Sequence, residues 1–164
     1  MQNITPFLWF DNNAEEALNF YTSIFPNSKI VSIERYPEGI TEGPMAGMSG
    51  KVLTAVFELN GDKFLCLDGG PAFPVGGRVS FYVECEGQEE VDRYWSRLSE
   101  GSDPKTQQCG WIQDKYGFMW QIIPKQLPEL LKAADKEKSG RAMQAMLGMK
   151  KIIVADLQKA FDGQ

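Results

Sequence analysis

Two periodicities alternate along this chain, and they do so twice in the same order. Ile4 to Phe10 alternates as a strand, with Thr5, Phe7 and Trp9 on one face and Ile4, Leu8 and Phe10 on the other. Ala14, Ala17, Leu18, Tyr21 and Phe25 then fall at helical spacing. Asn12 or Asn13 is placed to cap that helix, Glu15 and Glu16 suit its first turn, and Pro26-Asn27 ends it. Lys29 to Tyr36 alternates again as a strand. Val52 to Leu59 and Lys63 to Asp68 are two further strands, joined at Asn60-Gly61, a strong hairpin signal.

The second series predicts a strand at Ser80 to Val83 and a helix over Gln88 to Ser99, with Val91, Tyr94, Trp95 and Leu98 inward. A short strand near Thr106 follows. The stretch from Gly110 to Pro124 then reads as two strands about the turn Asp114-Lys115-Tyr116-Gly117, with Pro124 stopping the second. At an offset of about 74 residues, Phe7 falls on Phe81, Glu15-Glu16 on Glu89-Glu90, and Phe20-Tyr21 on Tyr94-Trp95. Weak identity with a repeated element order points to an internal duplication of a βαβββ unit. The repeats run from about 1 to 70 and from Arg78 to 124, joined by Gly69 to Gly77.

Two segments lie outside this scheme. Pro37 to Gly50 is a long glycine-rich loop with Met45 and Met48 as its apolar residues. It is either a loose connection or a lid. After Pro124 the chain turns helical, with stripes at Leu127, Leu130, Leu131 and Ala134, at Met143, Met146 and Leu147, and at Val154, Leu157, Ala160 and Phe161. Breaks at Gly140 and Gly148 are expected to separate them. The methionine stripe suits core packing, with a subunit interface as the alternative.

Composition narrows the function. The chain has 164 residues and a formal charge of −5, without the grouped Lys and Arg that phosphate binding needs, so nucleic acid is not expected as a partner. The lysines from Lys132 to Lys138 are interleaved with Asp135 and Glu137 and read as a solvated helix face. No apolar run approaches the roughly 20 residues that span a bilayer, and Met-Gln-Asn-Ile-Thr carries no signal-peptide pattern. No membrane partner and a cytoplasmic location are expected. Cys66, Cys85 and Cys109 are too scattered for a metal or redox pair and read as reduced thiols. The chain has no histidine, which removes the commonest general base and the commonest metal ligand together.

Gln121 is out of character: a polar residue within the apolar run Phe118 to Ile123. It faces either solvent or a cavity that wants a hydrogen-bonding group. The same stretch, Asp114-x-Tyr116-Gly117-x-x-Trp120-Gln121-Ile122, resembles the PhnB-like branch of the vicinal-oxygen-chelate superfamily. That branch is often labelled 3-demethylubiquinone-9 3-methyltransferase. Pro6 to Tyr21 (PFLWFDNNAEEALNFY) and Arg141 to Leu147 followed by Met149 to Ile152 carry the same resemblance.

The resemblance implies an α+β fold of paired βαβββ modules, forming a curved mixed sheet around a cavity. Residues 1–124 are the glyoxalase/bleomycin-resistance-like domain and 125–164 a C-terminal helical extension. It also implies a homodimer. Metal-dependent relatives hold a divalent cation with His, Glu or Gln from four strands. Those positions fall here near Thr5 or Pro6, around Leu65 to Leu67, near Val79 or Ser80, and on Gln121. Only Gln121 is a conventional ligand, so no metal and no cofactor is expected.

The implied cavity remains. Strand parity groups Thr5, Phe7 and Trp9, Ser80 with Tyr82, and Met119 with Gln121. Trp9, Ser80, Tyr82 and Gln121 are the expected contacts of a small-molecule ligand: Trp9 by stacking, Ser80 and Tyr82 as donors, Gln121 as the orienting group. The bland reading makes all of them core residues. An enzyme in the same cavity, with Tyr82, Glu84 or Glu58 as acid or base, is the alternative function. Methyl transfer lacks a glycine-rich strand-to-helix turn, and a purely structural role for the C-terminal helices is the fourth reading.

Overall fold

Leu8 and Phe10 are buried while Phe7 is 51% exposed, so the first strand has the two-faced character its alternation predicts. This computed structural model describes residues 5–39, 41–43, 46–72, 76 and 79–164. Ile4, Met45 and Arg78, singled out above, lie outside the described residues. The chain gathers into two compact units, Met1–Pro74 and Val75–Gln164.

The first unit contains β1 (Phe7–Phe10), α1 (Ala14–Ile24), β2 (Lys29–Arg35), β3 (Val52–Leu59) and β4 (Asp62–Asp68). Its sheet runs β1-β4-β3-β2, with β1 parallel to β4 and the other pairs antiparallel. Ala17, Leu18, Tyr21 and Ile24 of α1 form the core with Ala55, Phe57, Phe64 and Cys66 of the sheet. The Asn60-Gly61 turn forms as predicted, both residues taking positive φ (50° and 89°), which matches the twist of a two-residue hairpin. The helix cap differs from the expectation. Asn13 makes no side-chain cap bond; buried Asp68, at the end of β4, accepts from Ala14 N at 2.8 Å and from Val52 N at 3.0 Å. One carboxylate thereby satisfies a helix terminus and a strand terminus, a bond that sequence proximity cannot reveal. The 37–50 loop closes on backbone bonds between Tyr36 and Lys51 and between Gly50 and Tyr36, with Met48 buried.

The second unit contains β5 (Ser80–Cys85), α2 (Gln88–Leu98), β6 (Trp111–Gln113) and β7 (Met119–Pro124), in the order β5-β7-β6. The strand expected near Thr106 is instead a 3-10 turn, Pro104–Thr106. Asp103 caps it by accepting from Lys105 N, and Pro104 presets its φ, so this local chemistry favours a helical turn over an extended strand. The described second sheet therefore has three strands, with a single bridge between Gln108 and Trp111 beyond them.

Apart from that missing strand the element order repeats, with one further correction. Ala17, Tyr21 and Ile24 correspond to Val91, Trp95 and Leu98 at the offset of about 74, all buried. Phe7 and Phe81 do not correspond. Phe7 is on the exposed face of its sheet, whereas Phe81 pairs with buried Trp120 on the helix side. The cause is a one-residue difference in connection length: Asp11 to Asn13 link β1 to α1, but only Glu86 and Gly87 link β5 to α2. A shift of one reverses the face of every strand residue.

Three helices complete the second unit: α3 (Gln126–Leu131), α4 (Lys136–Leu147) and α5 (Val154–Asp162). Gly148 follows α4 as expected, but Gly140 lies inside it; the break falls at Lys132 to Asp135, where Asp135 caps α4 through Glu137 N and Lys138 N. A glycine costs a helix only about 1 kcal/mol, too little to end one that is well capped. Leu127, Ile152 and Leu157 close over Ile123, with Met146 and Met149 against them. Met143 and Leu147 stay exposed, so the methionine stripe is only partly core. No described helix is long and apolar enough to cross a membrane.

Candidate functional site

The turn Asp114-Lys115-Tyr116-Gly117 fixes the site's geometry. Gly117 N donates to Asp114 O at 3.0 Å, and Gly117 takes φ +91°. Asp114 is 4% exposed and saturated. Its Oδ1 accepts from Tyr116 N and Phe118 N, and its Oδ2 accepts from Trp120 Nε1 at 2.8 Å. That last bond pins Trp120 into the core beside Phe81. Because side chains alternate along a strand, pinning Trp120 inward turns Gln121 outward.

The outward face carries two rows. Tyr82 pairs with Gln121 and Gln121 with Trp111, so these three side chains lie abreast across β5, β7 and β6. Ser80, Met119 and Gln113 form the next row. Gln121 Nε2 donates to Ser80 Oγ at 2.9 Å. The amide is thus oriented, with Oε1 able to accept from a ligand and the Ser80 hydroxyl hydrogen able to donate. Gln113 Nε2 is held by Gly117 O at 2.9 Å. Tyr82 is 53% exposed. Partial burial of its ring end, then the nearby Glu84 and Cys85, push its phenol above the ordinary range, so the hydroxyl keeps its proton and is able to donate.

Three of the four expected contacts, Ser80, Tyr82 and Gln121, therefore share one face. Trp9 lies on the corresponding face of the first unit, where Phe7, Leu65, Val56 and Ser32 are in register. Its indole N–H is committed to Gly70 O at 2.8 Å, and its ring occupies the space beside Gly69, where a Cβ would come within 2.1 Å. Sequence reading missed Trp111. Folding the hairpin so that Gln113 meets Met119 places Trp111 opposite Gln121, so the turn length held the signal.

The superfamily's cation positions do not fit a cation here. Leu65 and Leu67 carry no donor, and at the other two positions Gln121 Nε2 is engaged by Ser80 Oγ. One amide oxygen and one hydroxyl fall short of the three or so anionic or imidazole ligands that a divalent site keeps. Among the described residues no cluster of three His, Cys, Asp or Glu is placed to hold a metal. In the first unit, a cleft of about 500 Å³ at the start of α1 is lined by Asn12, Glu15, Arg35 and Lys51. Its charges are used internally: Arg35 pairs with Glu15 at 2.7 Å, and Lys51 Nζ donates to Asn12 O.

The 3-demethylubiquinone-9 3-methyltransferase family matches residues 2–123. The chain belongs to this PhnB-like family. Among solved structures, a putative 3-demethylubiquinone-9 3-methyltransferase, PhnB protein, from Bacillus cereus is 41% identical, with a TM-score of 0.64 over 75% of this chain and 99% of its own. Protein PA1353 from Pseudomonas aeruginosa is 21% identical, with a TM-score of 0.59 over 76% of this chain and 98% of its own. The fosfomycin resistance protein FosX from Mesorhizobium loti is 11% identical, with a TM-score of 0.47 over 73% and 87%. No curated protein matches. For this PhnB-like chain, the Asp-x-Tyr-Gly-x-x-Trp motif is thus architectural: it locks a turn and a core tryptophan, and so presents the glutamine that follows.

Proposed function

We propose that this PhnB-like chain is a metal-independent, cytoplasmic small-molecule-binding protein, with its ligand on the open face of β5, β7 and β6. Residues 1–124 are the binding domain and 125–164 its helical extension. The observation that carries the reading is the Tyr82–Gln121–Trp111 row, with the central amide's Nε2 held by Ser80 so that Oε1 is the group left to accept. Two aromatic rings flanking one oriented acceptor suit a flat apolar molecule bearing an N–H or O–H group. The projecting residues are Ser80, Tyr82, Glu84, Trp111, Gln113, Met119 and Gln121, none of them cationic, which favours a neutral or cationic ligand over an anion. On the first unit's own sheet, Trp9 is left with only its ring face to offer a ligand, since its indole N–H is held by Gly70 O. The exposed Phe7 and Val79 support a homodimer.

Titration with the neutral fluorophore N-phenyl-1-naphthylamine tests this. Saturable binding that is unchanged by EDTA and by added Mn, Ni or Zn, and lost in Gln121→Leu, is expected. Stoichiometric metal in the purified protein, or binding that requires it, overturns the metal independence. The same titration in the Trp9→Ala variant tests the first unit's contribution, and sedimentation tests the dimer.

One observation favours an enzyme in the same place. Tyr82 and Glu84 share a face of β5, which sets a proton donor and an acceptor side by side on the ligand face. The methyl-transfer label finds less support. Neither Asp11-Asn12-Asn13 nor Glu86-Gly87 is the glycine-rich strand-to-helix turn that S-adenosylmethionine sites use.

A further inference from the structure

Residues 148–153, the link between α4 and α5, cross the second unit as a strap, beyond the stretch that the family matches. Leu147 O accepts from Gln108 Nε2 at 2.9 Å, Met149 O from Cys109 N at 2.8 Å, and Lys150 O from Gly110 N at 2.7 Å. The strap thus supplies acceptors to the turn between Gln108 and Trp111 that leads into β6. Farther on it is clamped to α2. Gln88 Oε1 accepts from Val154 N at 2.8 Å, Gln88 Nε2 donates to Ile152 O at 3.1 Å, and Lys151 Nζ pairs with Asp92 Oδ1 at 2.6 Å. Ile152 is fully buried between these two attachments.

Gly110 makes the connection to the ligand face. Its N–H is held by the strap and its carbonyl by Ile122 N at 2.8 Å. It sits at φ +82°, with Ile152 and Ile123 so close that a Cβ would come within 3.1 Å and 2.8 Å of them. Trp111 is the next residue. We propose that the strap positions Trp111 in the row with Gln121 and Tyr82, and that Gln88, which touches no part of that row's register, sets ligand affinity through it. The proposal rests on the ligand face described above. Gln88 is a positioning residue, because it acts only through the strap.

The test separates the two claims. With 5-fluorotryptophan in place of the four tryptophans, Gln88→Ala is expected to shift or broaden the Trp111 fluorine resonance (assigned with Trp111→Phe) and to leave that of Trp9 in place. An unmoved Trp111 resonance overturns the strap, whether or not any ligand binds. In titrations with N-phenyl-1-naphthylamine, Gln88→Ala is expected to weaken binding about fivefold in the wild-type background and by less than about twofold in the Trp111→Ala background. Equal losses in both backgrounds, or a lowered Tm with unchanged affinity, reduce Gln88 to a structural residue and overturn the proposal. Wild-type protein that fails to bind the fluorophore overturns the ligand face alone, and the fluorine spectrum then decides the strap.

Discussion

Gln121 Nε2 donates to Ser80 Oγ at 2.9 Å, across the parallel pair that joins β5 to β7. The two residues are 41 positions apart in the chain, and each fixes the other. Serine's hydroxyl oxygen takes the amide N–H, so the amide oxygen is the group left for a ligand. Ser80→Ala should therefore act on binding more than on folding. A half-exposed neutral hydrogen bond contributes about 1 kcal/mol. Urea unfolding should show a loss of that size or less, while affinity for N-phenyl-1-naphthylamine falls as the amide becomes free to rotate.

Asp114 is the opposite case. Its carboxylate accepts three hydrogen bonds in the interior. Asp114→Ala strands the Tyr116, Phe118 and Trp120 donors, and hydrogen bonds to a charged group are worth about 1.5–3 kcal/mol each. A loss of at least about 3 kcal/mol is expected in urea unfolding. Near-UV circular dichroism should report the release of Trp120.

Two glycines with the same sign of φ should behave differently. Gly61, at φ +89°, has nothing within 4 Å of the place a Cβ would occupy, so Gly61→Ala costs only the left-handed backbone term, about 1 kcal/mol. Gly110 combines φ +82° with a Cβ position 3.1 Å from Ile122 O and 2.8 Å from Ile123 Cδ1. Gly110→Ala should cost clearly more, about 2–4 kcal/mol, since backbone cannot give way as a flexible side chain does. Comparison of the two unfolding midpoints checks this.

The thiols give a pH test. Burial pushes Cys66 and Cys85 up to about 12 from an ordinary 9.0, with Asp68 adding to the first and Glu90 to the second. The folded state favours the neutral thiol, so this contribution to stability is fully present below pH 9 and is lost as pH rises from there towards 12. Below that window Cys66 and Cys85 should resist Ellman's reagent in native protein, and partly exposed Cys109 should react first. Three equally fast thiols would show that the two buried sites open readily.

Much of the fold was legible because its signals are local. The turn at Asn60-Gly61, the amphipathic stripes of α1 and α2, and the alternation of β1 and β3 each depend on neighbours a few residues away. The motif around Gln121 was legible as a break in pattern. Trp111 was not singled out, because its place beside Gln121 depends on how many residues the 114–118 turn contains. The missing strand near Thr106 followed from Asp103-Pro104, a helical start that outweighed the expectation from the repeat. The equivalence of Phe7 with Phe81 failed by a single residue, which for a strand means the opposite face.

The sequence by itself determined the order of the elements, the duplication, the family and the poverty of metal ligands, because residue identity and short-range periodicity settle these. Tertiary structure alone decided which carboxylates became buried hubs, that Asp68 rather than an asparagine caps α1, and that Tyr82, Gln121 and Trp111 stand abreast. Those outcomes rest on strand register and on hydrogen bonds between residues far apart in the chain, and a one-residue change of register would reverse them.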